Sequence, residues 1–253
     1  MNRYLTMLLL GTLLVTGCVV YNVQADLPET KTWSAAGITA IDVRADNGAI
    51  TVRASADTVI SAKVTKSCKG TSQADAESHL ADITVGDSMS GTTLYMWGKV
   101  PQANARSYNT KFEVAAPAAN LLRIETTNGA VNLDSMAGAA VVVAANGAVS
   151  TVAHSGSISV EAANGAIDCD MAALDTAEAA ALHSSNGRVT LYLPADASVA
   201  FDITTSNGNA NVTGFADVNY SVNEAKHKTG TIGAGAAAVT LRSENGNVNI
   251  QAK

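Results

Sequence analysis

Asn-Gly occurs seven times in this chain, at Asn47, Asn128, Asn146, Asn164, Asn186, Asn207 and Asn245, and the pairs keep a beat. Gly138, Gly147, Gly156 and Gly165 fall nine residues apart, and Gly187 and Gly208 follow at intervals of 22 and 21. A short fixed period with a turn residue at every beat marks a repeat architecture, in which each unit buries its apolar face against its neighbours. The residues around the beat alternate. Two positions after the glycine stand Ile50, Val131, Val149, Ile158, Ile167, Val189 and Val248. Four after it stand Val52, Leu133, Val160, Cys169, Leu191, Val212 and Ile250, and five before it Val43, Ile124, Val142, Leu182, Ile203 and Leu241. Mostly Ser, Thr, Asn, Asp, Arg or Ala lies between. Alternation with period two gives short strands with one apolar face and one wet face. Asn and Gly enter positive φ at low steric cost, which suits them to the reversals. Small residues, Thr126, Ala144, Ala162, Ser184 and Thr205, stand beside the turns.

Two architectures satisfy this pattern. Asn-Gly between alternating runs is a strong hairpin signal, so an antiparallel meander is one solution. In the other, two nine-residue units make one coil of a β-solenoid, with equivalent residues stacking about 4.8 Å apart. A meander leaves a broad apolar face that needs a second layer. A solenoid closes that face on itself and lets the turn asparagines form hydrogen-bonded ladders. Only 4% of residues are aromatic, which suits a thin core. The expectation is therefore an all-β, single-stranded β-solenoid (parallel β-helix-like) of Asn-Gly-turn repeats over residues 35–253. One short helix is expected at Ser72–Ala81, with Ser72 as its N-cap. Two stretches interrupt the repeat: a bulge or helical turn around Ala172–Glu178, and the polar insertion Asp217–Lys228. Insertions of this kind are where repeat proteins commonly place binding specificity.

The segments YNTKFEVAAPAANLLRIETTNGAVNL and RVTLYLPADASVAFDITTSNGNANV share one grammar: strand, Pro-Ala, apolar alternation, Thr-x-Asn-Gly, strand. The closing VTLRSENGNVNI repeats its last part. With these motifs the chain resembles the bacterial putative-adhesin family, a domain of unknown function found in envelope proteins with repetitive β-helical domains. The resemblance covers about residues 35–253. It implies an adhesin-like, non-catalytic interaction or scaffold role, and it brings no active site to carry over.

The N-terminus supplies an address. Arg3 precedes an apolar stretch from Leu5 to Val15, and Val15-Thr16-Gly17-Cys18 follows. The layout is that of a secretory signal and is too short for a spanning helix. The small residues before Cys18 resemble a bacterial lipoprotein signal. That resemblance implies cleavage between Gly17 and Cys18, a diacylglyceryl group on the Cys18 thiol, and a membrane partner reached through N-terminal acyl chains. Residues 1–17 are then the signal peptide, and 18–34 a tether to the domain. Val19 after the cysteine implies outer-membrane delivery where the host has two membranes. The expected location is the membrane-anchored cell envelope.

The formal net charge of −6, spread evenly along the chain, argues against nucleic acid as a partner. An envelope glycan or protein is the remaining partner class. Cys68 and Cys169 could form a disulfide in an exported protein, yet Cys169 falls in a column of Val, Leu and Ile, where a buried thiol fits. Asp168 and Asp170 flank it on the outer face, about 7 Å apart by strand geometry. They are the alternative, enzymatic centre, for an envelope polysaccharide. Solvated strand carboxylates explain them as well, because no Lys or Arg cluster stands nearby in the pattern. His79, His154, His183 and His227 are scattered and read as exposed singles. No metal-ligand spacing, phosphate loop or nucleophile motif occurs, so no catalytic residue, metal site or cofactor is assigned. Tyr95, Trp33 and Trp97 are the notable aromatics. A carbohydrate platform is one use for such rings, and Trp97 as a cap over an open end is the expected one.

Overall fold

The computed structural model describes residues 20–102 and 106–253; Gly17 and Cys18 lie outside the described residues. Strands β1 (Val23–Ser34), β2 (Ala40–Asn47), β3 (Ile50–Ala54) and β4 (Val59–Gly70) precede a short helix, α1 (Gln73–Ser78). β5 (Thr84–Ser90), β6 (Thr93–Lys99) and β7 (Tyr108–Ala116) follow. Strand pairs then flank successive Asn-Gly corners: β8 (Leu121–Asn128) with β9 (Val131–Asp134), and β10 (Ala140–Asn146) with β11 (Val149–His154). Next come β12 (Ile158–Asn164) with β13 (Ile167–Met171), β14 (Ala179–Asn186) with β15 (Val189–Leu193), and β16 (Val199–Asn207) with β17 (Ala210–Thr213). A hairpin of β18 (Val218–Asn223) and β19 (His227–Ile232) separates these from β20 (Ala237–Asn245) and β21 (Val248–Ala252).

The result is all-β, in two large and mostly parallel sheets. One has ten strands in the order β1-β4-β7-β3-β9-β11-β13-β15-β21-β17, the other eleven in the order β18-β19-β16-β20-β14-β12-β10-β8-β2-β6-β5. Each Asn-Gly corner carries the chain from the second sheet to the first. Through the middle the parallel register advances by one pair of nine-residue units: Val142 pairs Val160, and Val149 pairs Ile167. The antiparallel meander is thereby excluded for the repeat. The inward columns are as the alternation requires, with Val43, Ile124, Val142, Leu182, Ile203 and Leu241 all at most 1% exposed. Facing them are Ile50, Val131, Val149, Ile167, Val189 and Val248, equally dry. Each such aliphatic side chain contributes about 1.5–3 kcal/mol on burial.

Strict coil-after-coil winding, the finer expectation, fails at both ends. β20–β21 slides between the β14–β15 and β16–β17 units, and β1, β4, β5, β18 and β19 pair antiparallel at the edges. The segment expected as a tether is also different from Val23 onward: it is β1, registered along β4 over its whole length. Beat and corner need a further distinction. Gly156, like Gly138, turns the opposite corner, so Ile158 and Val160 belong to the column with Val142 and Leu182 rather than with Ile167 and Cys169.

The glycines are demanded by close approach more than by torsion. A Cβ on Gly165 would stand 2.0 Å from the Gly147 carbonyl oxygen, and one on Gly147 2.0 Å from that of Gly129. The same contact repeats from Gly187 to Gly165 and from Gly246 to Gly187. The small residues beside the turns complete the corner: Ser184, Ser243 and Thr205 hydroxyls donate to the carbonyls of Gly165, Gly187 and Gly246 at 2.9, 2.9 and 2.7 Å. Outside them runs the asparagine ladder. Asn146 donates to Asn128, Asn164 to Asn146, Asn186 to Asn164, Asn245 to Asn186 and Asn207 to Asn245, all within 2.8–3.0 Å.

The predicted helix is present, with the Ser72 hydroxyl accepting from the Asp75 amide at its N-cap. It covers a second, smaller core of Ala25, Cys68, Ala76, Leu80, Ile83 and Tyr108. The stretch after Met171 forms a plain turn rather than a helical one.

Candidate functional site

Alternation decides which side chains reach the outside. On β6, Leu94, Met96 and Gly98 point into the core, so Tyr95, Trp97 and Lys99 point out. Parallel pairing with β2 sets Tyr95 beside Asp42 and Trp97 beside Arg44. β5 on the other flank sets Ser88 beside Tyr95 and Gly86 beside Trp97. β8 continues the two rows with Arg123 and Glu125. The rows enclose a shallow cleft of about 320 Å³ lined by Asp42, Arg44, Ser88, Tyr95, Trp97 and Lys99, with Met96 at its floor.

Two features make the cleft a constructed one. Gly86 lets the indole lie down on the sheet: a Cβ there would stand 2.3 Å from Trp97 Cζ2. Asp42 is a carboxylate only 4% exposed on an outer face. Arg44 holds it with two charge-assisted bonds, Nε to Oδ1 at 2.8 Å and Nη2 to Oδ2 at 2.9 Å, and Arg123 stands 3.7 Å away. The Asp42 bond and charge hold the Arg44 pKa above its usual range. The Arg44 side chain remains half exposed, with donors left over for a ligand. Glu125 approaches it at 3.9 Å.

Trp97 is thus not the end cap that its sequence context suggests. That closure falls to Trp33 and Lys31 of β1, which donate to Asp87 of β5 at 3.3 and 2.7 Å and bridge the edges of the two sheets. At the opposite end the polar insertion does the same work. Residues 217–228 are not a free loop: they build much of the β18–β19 hairpin, which pairs with β16, and Tyr220 meets Phe201 edge to face at 5.9 Å.

The other candidates are placed as follows. Asp168 and Asp170 do face outward on β13, each about a third exposed. Each is engaged by its own cation, which the pattern did not reveal. Arg188 of the next unit grips Asp168 at 2.8 Å, and the C-terminal Lys253 reaches Asp170. The two carboxylates therefore do not share a proton-holding partner. Cys68 and Cys169 are both free and buried in separate cores, so they do not pair with each other. Burial pushes the Cys169 thiol pKa up to about 12, and raises that of Cys68 as well. Among the described residues no group of three or more His, Cys, Asp or Glu is arranged to hold a metal ion.

The histidines are not all exposed singles. His183 is exposed on β14, His227 lies 3.1 Å from Asp202, and His79 caps the helix with its ring against the Asp75 carbonyl at 2.8 Å. His154 is fully buried. Its register partner is Met171, and neither ring nitrogen completes a hydrogen bond among the described residues. Burial holds its pKa below the usual value, and the nearby Ser157 backbone offsets this only in part. Alternation alone places it outside: counted from Val149 and Thr151 it would face solvent, but a bulge at Ala153, where φ is +49°, turns it inward at the end of β11.

No curated protein matches the chain. Among solved structures, it is similar to a putative cell adhesion protein from Clostridium sporogenes, with a TM-score of 0.52, 12% identity, and coverage of 90% of this chain and all of that one. A putative adhesin from Bacteroides fragilis matches with a TM-score of 0.43 and 12% identity, covering 90% of this chain and 97% of that one. At 12% identity the likeness to the Clostridium protein is one of fold. The model of the Toastrack DUF4097 family matches residues 26–251, nearly the whole described domain with its two parallel sheets and Asn-Gly corners, and the chain belongs to that family.

Proposed function

We propose that this protein is a lipid-anchored component of the bacterial cell envelope with an adhesin-like, non-catalytic role. In this reading acyl chains on Cys18 hold it to a membrane, the outer one where the host has two. The stacked sheets present their outward faces to a partner. The observation that carries the reading is the division of the fold into a largely apolar interior and varied outer rows, of which the Tyr95/Trp97 cleft is the most elaborated. A protein built for display needs a stiff frame and a differentiated surface. The fold likeness to a protein described as a putative cell adhesion protein supports the same reading, as does the signal-like N-terminus ending in Gly17-Cys18.

The test is metabolic labelling. The wild-type chain should incorporate radiolabelled palmitate and sediment with membranes, and Cys18→Ser should do neither. A wild-type chain that takes up no label refutes the anchor.

A further inference from the structure

We propose that the outer-face cleft between β2, β5 and β6 is a binding site for an acidic sugar, a hexuronate unit of a polysaccharide. The inference rests on the adhesin-like reading above and names its ligand class. A pyranose ring offers one apolar C–H face and a rim of hydroxyls. The natural complement is an aromatic surface with fixed donors and acceptors at its edge. Tyr95 and Trp97 stand two residues apart on one face of β6, both half-buried, with the indole braced against the Gly86 backbone. A braced ring loses little freedom when a sugar settles on it.

Charge selects among sugars. The chain as a whole is acidic, yet the cleft carries Arg44 and Lys99, with Arg123 in the adjoining row, against Asp42 and Glu125. Asp42 is already occupied: both its oxygens accept from Arg44. That pairing fixes the guanidinium in place while leaving it half exposed toward the cleft. Lys99 is exposed and has no ion-pair partner among the described residues. An incoming carboxylate would therefore meet one guanidinium held in place by Asp42 and one unpaired ammonium beside an aromatic platform, and a neutral sugar would gain nothing from either charge. Ser88 adds a hydroxyl at the far edge.

The experiment is calorimetric titration of the soluble Cys18→Ser chain with an oligogalacturonate of defined length and with the neutral galactose oligomer of the same length. Binding of the acidic oligomer should be at least about tenfold tighter than of the neutral one and should weaken with salt. Trp97→Ala should reduce it by about tenfold or more. Lys99→Gln, an exposed change that leaves folding intact, should reduce it about threefold and narrow the difference between the two oligomers. Absence of binding by the unsubstituted chain, equal affinity for the two oligomers, or acidic-sugar binding unchanged in both variants each overturns the site. Palmitate labelling is indifferent to these substitutions, so a failed sugar site and a failed anchor are told apart.

Discussion

Gly165→Ala tests whether the Asn-Gly beat is there for close packing of one unit on the next. The new Cβ would stand 2.0 Å from the Gly147 oxygen, 2.7 Å from its carbonyl carbon and 3.3 Å from the Ala148 nitrogen. Those are backbone atoms and cannot rotate away. Relief requires the two corners to separate by roughly 1.4 Å, the gap between 2.0 Å and ordinary contact at 3.4 Å. Three bonds span that gap: Gly147 amide to Asn164 at 3.1 Å, Val149 amide to Ala166 at 2.9 Å, and the Asn164 to Asn146 side-chain rung at 2.9 Å. Lengthened by that much, none survives, and at about 0.5–1.5 kcal/mol each the loss is roughly 1.5–4.5 kcal/mol. The control is Gly91→Ala, in the β5–β6 turn. It has φ +58° but nothing within 4 Å of the new Cβ, so its cost is conformational and about 1 kcal/mol. Urea unfolding followed by circular dichroism reads both. If Gly165→Ala is no more destabilised than Gly91→Ala, the glycines serve torsion alone and the close-approach account is wrong.

Two further substitutions probe the interior. Val160 is 1% exposed and Ser159, its neighbour, faces out; Val160→Asp should cost several kcal/mol and Ser159→Asp within about 0.5 kcal/mol, and equal melting temperatures would refute the assigned alternation. His154 gives a pH signature. Its folded pKa lies below the ordinary 6.5, so the unfolded chain takes up the proton first. Stability should fall by up to about 1.4 kcal/mol per pH unit as pH drops below 6.5, until the folded pKa is reached. His154→Leu should abolish that decline between pH 6.5 and 5 and should not destabilise at pH 8, where only unpaired nitrogens are lost. A variant as acid-sensitive as the parent would clear His154.

Much of the fold is legible because period two is a local signal. Ile124, Val142 and Leu182 announce their column through the residues beside them, and the asparagine ladder follows from equal spacing once the units stack. The reason for glycine was less legible. Positive φ offers a single-unit account of Gly48 and Gly147, although both also meet a carbonyl at 2.0 Å, whereas Gly165, Gly187 and Gly246 owe their identity to a carbonyl from a neighbouring unit alone. The same holds for the candidate site. Tyr95 and Trp97 are outward by alternation, but Asp42 and Arg44 are more than fifty residues away and reach them only through the β2–β6 pairing. Arg188 on Asp168 and Lys253 on Asp170 were hidden for the same reason. Contacts between strands distant in sequence leave no mark on either strand alone.

The order of the units is the sharpest case. β20 enters between β14 and β16, so the last unit of the chain is not the last of the stack. Nothing local forbids it: Leu241 continues the column of Leu182 and Ile203, and Asn245 makes rungs with both Asn186 and Asn207. Units with the same interior columns and the same corner are interchangeable partners, and position is set by what the ends require. Here the β18–β19 hairpin pairs with β16 and covers it, which leaves β20 to fill the space behind. An interior so uniform cannot discriminate among ligands, whereas the outward residues differ from row to row. Val141, Ser159 and Ala181 follow Arg123 along one row, and the concentration of aromatic and paired charged groups falls at β2 and β6. On the reading proposed above, recognition belongs to an outer row near an end, where the repeat has been altered without disturbing the columns beneath it.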